Sequence, residues 1–191
     1  MSTATETFIN LIRKHLEELS QTDRLIYLLK LLWQSDYGWG REHIGSVDCS
    51  GALSFALYLM GFNIRTTANG FENDFTKDIG MGQLPLPGDL LFFRPRTDRT
   101  GGSNWNHVAI FSDRSLNLLS TTSSTFQIVP ISTMLSAYSN MEHRVARLDW
   151  LEIDRKARTG RYVWGVDPEL RPMFGLFNIE ELDYESPTEI Y

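Results

Sequence analysis

Nothing constrains this chain more than the run from Asp48 to Gly61. Asp48 is a strong N-cap residue, Val47 ahead of it can cover the start of a helix, and Gly61 stands where helices stop. Between them, Ala52-Leu53-Ser54-Phe55-Ala56-Leu57-Tyr58-Leu59-Met60 is apolar on nearly every side, and a helix of that kind belongs inside a core. The predicted helix runs from Cys49 to Met60, and its first turn holds the chain's one cysteine at the positive end of the helix dipole. That position favours the thiolate. An ordinary thiol of pKa ~8.5 is only a few per cent ionised at neutral pH, and one shifted to about 6 is roughly 90% ionised. Two readings of Cys49 follow: a packed core thiol, as is common among free cysteines, and an activated nucleophile.

A chain of 191 residues holds one domain with appendages and can bury a sizeable core. A single cysteine excludes an internal disulfide, a dithiol redox pair and a thiolate-rich zinc site. The net charge is −6, and the excess sits late in the chain. There Asp167, Glu169, Glu180, Glu181, Asp183, Glu185 and Glu189 face one base, Arg171, while residues 1–166 are balanced. Such a chain has no electrostatic footprint for nucleic acid, and the acidic tail reads as a solvating segment. Met1 to Thr7 lacks the basic start and apolar stretch of a signal peptide. The longest apolar run, Leu25 to Trp33, is broken by Lys30 and is too short for a bilayer. The expectation is a soluble product made in the cytoplasm, with no membrane partner.

Along the chain, Phe8, Leu11, Ile12, Leu16 and Leu19 mark an amphipathic helix over residues 6–19. Capping residues between Ser20 and Asp23 predict a second helix, from Thr22 or Asp23 to about Gln34. Ser35 to Gly40 is a turn segment, and residues 61–86 read as loop and short helix. Turn chemistry at Leu84 to Asp89 feeds a short strand, Leu90 to Phe93. A long polar stretch, Arg94 to Asn106, separates it from strands at His107–Phe111, Leu116–Thr121 and Phe126–Val129. Residues 131–138 suit a short helix and 144–148 a last strand, with Trp150 and Tyr162-Val163-Trp164 packing nearby. Helices first and antiparallel strands after argue an α+β class.

His107 opens its strand directly after the long loop and shares a strand face with Ala109 and Phe111. It reads either as a satisfied histidine at a strand end or as the base of a Cys–His pair, which needs only spatial adjacency. His15, His43 and His143 have no comparable setting.

Together these segments resemble a known family. Tyr37-Gly38-Trp39-Gly40, Asp48-Cys49-Ser50-Gly51, Leu86-Pro87-Gly88-Asp89-Leu90-Leu91-Phe92-Phe93 and Asn106-His107-Val108-Ala109-Ile110-Phe111, in this order, are similar to the NlpC-type cell-wall cysteine peptidases, as is Arg65-Thr66-Thr67. The resemblance implies a papain-like fold, with a cysteine-headed central helix packed on an antiparallel sheet of about five strands. Residues 1–22 would be an N-terminal helical extension, 23–150 the peptidase domain and 151–191 an acidic C-terminal extension. It further implies hydrolysis of amide bonds in peptidoglycan stem peptides, between D-glutamate and the diamino acid, with no metal and no cofactor.

By position, Cys49 would be the nucleophile and His107 the base. The Cys49 N–H, helped by the Tyr37 hydroxyl, would bind the oxyanion. Asp48 and Ser50 would hold the amino end of a trimmed stem peptide, although Asp48 reads equally as a cap alone. The family orients its histidine with a third polar residue, often another histidine. Here Ser120 is the nearest match, with Asn117, a backbone carbonyl or a water as alternatives. Arg94, Arg96 and Arg99, against Asp98, suit either a carboxylate-rich substrate or a solvated loop. Two rivals remain open: a non-catalytic binding or assembly module that kept the fold, and a papain-like amidase or acyltransferase on another substrate. A wall enzyme of this kind would act through a phage, lysis or secretion route, or process wall fragments in the cytoplasm.

Overall fold

The structure, a computed structural model, describes residues 3–96, 104–122, 124–162 and 174–176. Two helices lead, α1 (Thr3–Glu17) and α2 (Gln21–Lys30), the second capped by the Ser20 hydroxyl, which accepts from the Asp23 N–H. The helix thus starts ahead of the predicted Thr22 or Asp23, because Ser20 is the residue whose hydroxyl caps it. Three two-residue strands follow, β1 (Asp36–Tyr37), β2 (Glu42–His43) and β3 (Ser46–Val47), in the order β1-β3-β2. They fold the predicted turn segment into a small sheet just before the central helix.

That helix, α3 (Cys49–Leu59), is buried from Ser50 to Leu59. It closes on a Schellman motif: the Phe62 N–H donates to the Leu57 carbonyl and Gly61 N–H to that of Tyr58, with Gly61 at φ +90°. Next come α4 (Ala68–Phe75) and β4 (Thr76–Asp78), then β5 (Leu90–Pro95), β6 (His107–Phe111), β7 (Asn117–Thr121) and β8 (Phe126–Pro130). The chain continues with α5 (Ile131–Ala137), β9 (Met141–Leu148) and α6 (Trp150–Ala157). The main sheet has six strands, one more than expected, in the order β4-β9-β5-β6-β7-β8 with every pair antiparallel.

Strand alternation sorts the core into two layers. Leu90, Phe92, Val108, Ile110 and Leu119 face α3 and join its apolar cluster, to which α1, α2 and α4 also contribute. Leu91, Phe93, Ala109, Phe111 and Leu118 face the other way, under α5 and its Met134. The sheet is therefore sandwiched, with α3 on one side and α5 on the other. Trp150 opens a helix that the sequence reading does not contain, α6, capped by Asp149 on the Glu152 N–H, and it packs on Phe62. Tyr162 packs against Phe75, whereas Val163 and Trp164 lie outside the described residues. Residues 174–176 dock on the far end of α3: the Phe174 ring meets Tyr58 at 4.8 Å and the Gly175 N–H donates to the Tyr58 carbonyl.

Candidate active site

The head of α3 is built by Asp48. In extended conformation, it accepts from the Gly51 N–H and the Ser50 hydroxyl through Oδ1, and from the Gly40 N–H and Arg65 through Oδ2. Four donors occupy both oxygens. Of the two roles open to Asp48, the geometry supplies the cap. Ser50 is likewise engaged, donating to Asp48 and accepting from Arg65 at 3.1 Å.

Behind them, Arg65 is 4% exposed and bridges Asp48 to the fully buried Glu42, each at 3.0 Å. Charges this deep persist only when paired and hydrogen-bonded. Gly51 is glycine for a steric reason: a Cβ there would run into the Arg41 carbonyl oxygen, which accepts from the Asp48 N–H.

Cys49 opens α3 close to the backbone N–H groups of Val108 and Ser50, both of which pull its pKa down. Both contacts favour a thiolate, yet burial outweighs them and, with the negative Asp48 alongside, pushes the thiol up to about 11. The expected lowering by the helix dipole is therefore overturned. Although Cys49 keeps some exposure, most of its surroundings are protein, and the dipole supplies only about 0.3–2 kcal/mol against that desolvation.

His107, the first residue of β6 and next in chain to Val108, is 8% exposed. Its Nε2 lies 3.1 Å from the Ser120 hydroxyl, a diagonal neighbour on β7. That hydroxyl also contacts the Thr121 carbonyl at 3.3 Å. With one hydrogen to give, Ser120 satisfies both contacts by donating to Thr121 and accepting from Nε2–H, which leaves the Nδ1 lone pair as the basic position. Burial pulls His107 down to about 4, against the opposing pull of Asp48. At neutral pH the thiol and the imidazole are both uncharged.

Two phenols complete the cluster. Tyr37 of β1 is half exposed, and its ionisation is disfavoured by burial and then by the charges of Cys49 and Asp48. Tyr138, just past α5, lies over the imidazole with ring centroids 5.1 Å apart and planes 25° from parallel. Its ionisation too is disfavoured by burial, then by Cys49 and Tyr37.

The structure thus gathers Tyr37, Asp48, Cys49, Ser50, His107 and Ser120 around the head of α3. It does not bring Asn117 in: that residue starts β7, and its amide donates to Asp113 at 3.0 Å. Arg94 belongs to β5 and is occupied by Glu142 at 2.6 Å and by the Trp105 face at 4.6 Å; Asp98 and Arg99 lie outside the described residues. His15 packs on Tyr27, and His143 sits on β9 with Phe93 between it and His107.

Sequence reasoning missed the Glu42–Arg65 pair and Tyr138. Arg65 carried a signal only as part of a motif, and Tyr138 carried none. Among the described residues no cluster of three potential metal ligands exists, and no helix is long and apolar enough to cross a membrane. A cavity of about 190 Å³ lies elsewhere, between Lys77, Asp89, Arg147 and Trp150.

Comparison with known proteins agrees with this architecture. A sequence model of the NlpC/P60 family matches residues 34–146, which contain every element of the cluster. Among solved structures, the chain is similar to NlpC1 from Trichomonas vaginalis, with a TM-score of 0.53 and 19% identity over 67% of this chain and 44% of that one. It is also similar to a lipoprotein-like NLP/P60 family protein from Staphylococcus aureus, with a TM-score of 0.50 and 20% identity over 67% and 41% of the two chains. The aligned part is thus less than half the length of either protein, and at these identities the likeness is one of fold. No curated protein sequence matches the chain.

Proposed function

Because the chain belongs to the NlpC/P60 family, whose members are generally cell-wall peptidases, we propose that it is a cysteine peptidase acting on peptidoglycan stem peptides, at the amide between D-glutamate and the diamino acid. One observation carries the proposal: Cys49 heads the buried helix α3 close to the backbone of Val108, and the chain neighbour of Val108, His107, has its Nε2 3.1 Å from the Ser120 hydroxyl.

The chemistry starts from a neutral pair. The thiol proton passes to Nδ1 of His107 as the sulfur bonds to the scissile carbonyl carbon, so that neither charge forms alone in a dry site. The oxyanion is stabilised by the Cys49 N–H, a first-turn donor, and by the Tyr37 hydroxyl. The imidazolium, its Nε2–H on Ser120, returns the proton to the departing amine as the C–N bond breaks. Water, deprotonated by His107, then hydrolyses the thioester and restores the thiol. The substrate would be wall material reached through a phage, lysis or secretion route, or wall fragments met in the cytoplasm.

Digestion of purified muropeptides by the wild type beside Cys49→Ala tests this. New fragments, each pair summing to the parent plus water by mass spectrometry, are expected from the wild type alone. No fragment from the wild type across the neutral pH range overturns the assignment.

One observation favours a second reading, a non-catalytic module: burial holds both the thiol, up at about 11, and the imidazole, down at about 4, in their neutral forms. A working pair labels with iodoacetamide in the folded protein well below about pH 8, and an inert core thiol labels only on unfolding.

A further inference from the structure

The side of the site supplied by α5 has no part in the chemistry above. Tyr138 follows directly on that helix, its N–H donating to the Met134 carbonyl and its own carbonyl accepting from Met141 N–H, so its backbone is held from both directions. Its ring sits against Phe93, at 4.6 Å and tilted by 30°, and is stacked on His107, at 5.1 Å with the planes 25° apart. Phe93 lies directly across from His107 in the β5–β6 register and is fully buried. The aromatic stack is therefore anchored in the core beneath α5 and ends on the imidazole.

We infer that Tyr138 is the positioning residue for His107, its ring fixing the imidazole plane so that Nδ1 meets the Cys49 proton. The inference rests on the cysteine-peptidase reading for its chemistry. Ser120 is short and offers His107 one side-chain hydrogen bond, which locates Nε2 but leaves the ring free to pivot about that point. A flat aromatic face laid on the ring removes the pivot. Hydrogen bond and stack together define a position and a plane, the two things that proton transfer from a fixed thiol requires. The face does a second thing: its electron-rich π surface favours the imidazolium that forms when the proton arrives.

The test compares full-length wild type, Tyr138→Phe, Tyr138→Leu and His107→Gln. Two readouts are taken: kcat and KM on stem peptides, and the rate of Cys49 alkylation by iodoacetamide as a function of pH. Tyr138→Phe keeps the stack and is expected to restore wild-type behaviour in both. Tyr138→Leu is expected to lower kcat and neutral-pH alkylation about tenfold with KM nearly unchanged, and to move the acidic limb of the alkylation profile up as water reaches the ring. A folded Tyr138→Leu protein with wild-type rates overturns the inference, as does a Tyr138→Phe protein as impaired as Tyr138→Leu, which would assign the effect to the hydroxyl. Wild type alkylating no faster than His107→Gln overturns it as well, since there is then nothing to position. If Tyr138→Leu fails to fold, Tyr138→Met fills the space without an aromatic face and carries the same expectations. Stem peptides left uncut by the wild type, with the alkylation series still in the expected order, would sink the substrate reading while this inference stands.

Discussion

The helix head that carries Cys49 is anchored by ions: Arg65 spans Glu42 and Asp48, and Asp48 in turn holds Ser50, Gly51 and the Gly40 turn. The strand that carries His107 has no such anchor on the ring. One hydrogen bond, from its Nε2–H to Ser120, and a stack of Phe93 and Tyr138 hold the imidazole. Charged, hydrogen-bonded anchors in a dry interior are rigid but fail completely when one partner is lost. Aromatic faces are weaker singly and degrade by steps. The comparison implies that damage on the nucleophile side appears mainly as lost folding stability, and damage on the base side mainly as lost rate.

The sharpest way to break that contrast is Arg65→Met. Removing the guanidinium takes from the buried Glu42 and Asp48 carboxylates the cation they share, at a cost of about 3–5 kcal/mol. For a chain of this size the melting temperature should fall by roughly 10 °C or more, read by circular dichroism. Arg65→Lys should recover little of it, because one ammonium cannot span both carboxylates with the fork that guanidinium presents. A Tm unchanged in Arg65→Met would show that the ions do not anchor the helix head.

Protonation probes both sides at once, in opposite directions. Unfolded, His107 takes up its proton near pH 6.5, and folded it does so only at about 4. Between those values the unfolded chain binds more protons, so stability is complete above 6.5 and falls as the pH drops, by about 3 kcal/mol once below 4. The thiol mirrors this. Unfolded it ionises near 9 and folded at about 11, so stability falls as the pH rises through that window, by a similar amount of about 3 kcal/mol. Urea midpoints followed with pH should flatten on the acid side in His107→Gln and on the alkaline side in Cys49→Ala.

Gly51→Ala is a smaller probe of the helix head. The added methyl meets a backbone carbonyl that is itself holding the Asp48 N–H, so the Arg41 segment must shift, at about 2 kcal/mol. Its effect should add to that of Tyr138→Leu but not to that of Arg65→Met, since only the latter shares the Asp48 network.

The same division separates what the sequence makes legible from what it hides. The α3 helix, its Asp48 cap and Gly61 stop, and strands β5 to β8 follow from local pattern, which is why their bounds fall within a few residues of expectation. The α6 helix has a readable start in Asp149 and Glu152, but it spans only eight residues directly after β9, too short for a clear period. Two-residue strands such as β1 carry no periodicity to read. At the site, Cys49, His107 and Ser120 are nominated through motif resemblance, and the fold places them in one cluster. The Arg65 bridge is a different matter. Its partners stand 17 and 23 residues away, and no spacing rule links them. Tyr138 depends on the return of α5 over the sheet, which only the three-dimensional path supplies. The helix dipole alone gives the thiol the wrong direction of shift, because desolvation by the surrounding protein, which depends on the tertiary fold, is the larger effect.

Ser120→Ala makes the finest test of the contrast. The substitution removes the side-chain acceptor of the imidazole Nε2–H and leaves a buried donor unpaired, for about 1–2 kcal/mol in stability. The stack of Phe93 and Tyr138 stays in place, so the ring keeps its plane and loses only its fixed point. Proton transfer from Cys49 should then slow by about tenfold in kcat with KM little changed, a fraction of what a general base contributes. Combined with Tyr138→Leu, the loss should exceed the product of the two single effects, because each restraint covers for the other while both are present. If the double variant merely multiplies the single losses, the hydrogen bond and the stack act independently, and the base side is held by two separate restraints rather than by one shared geometry.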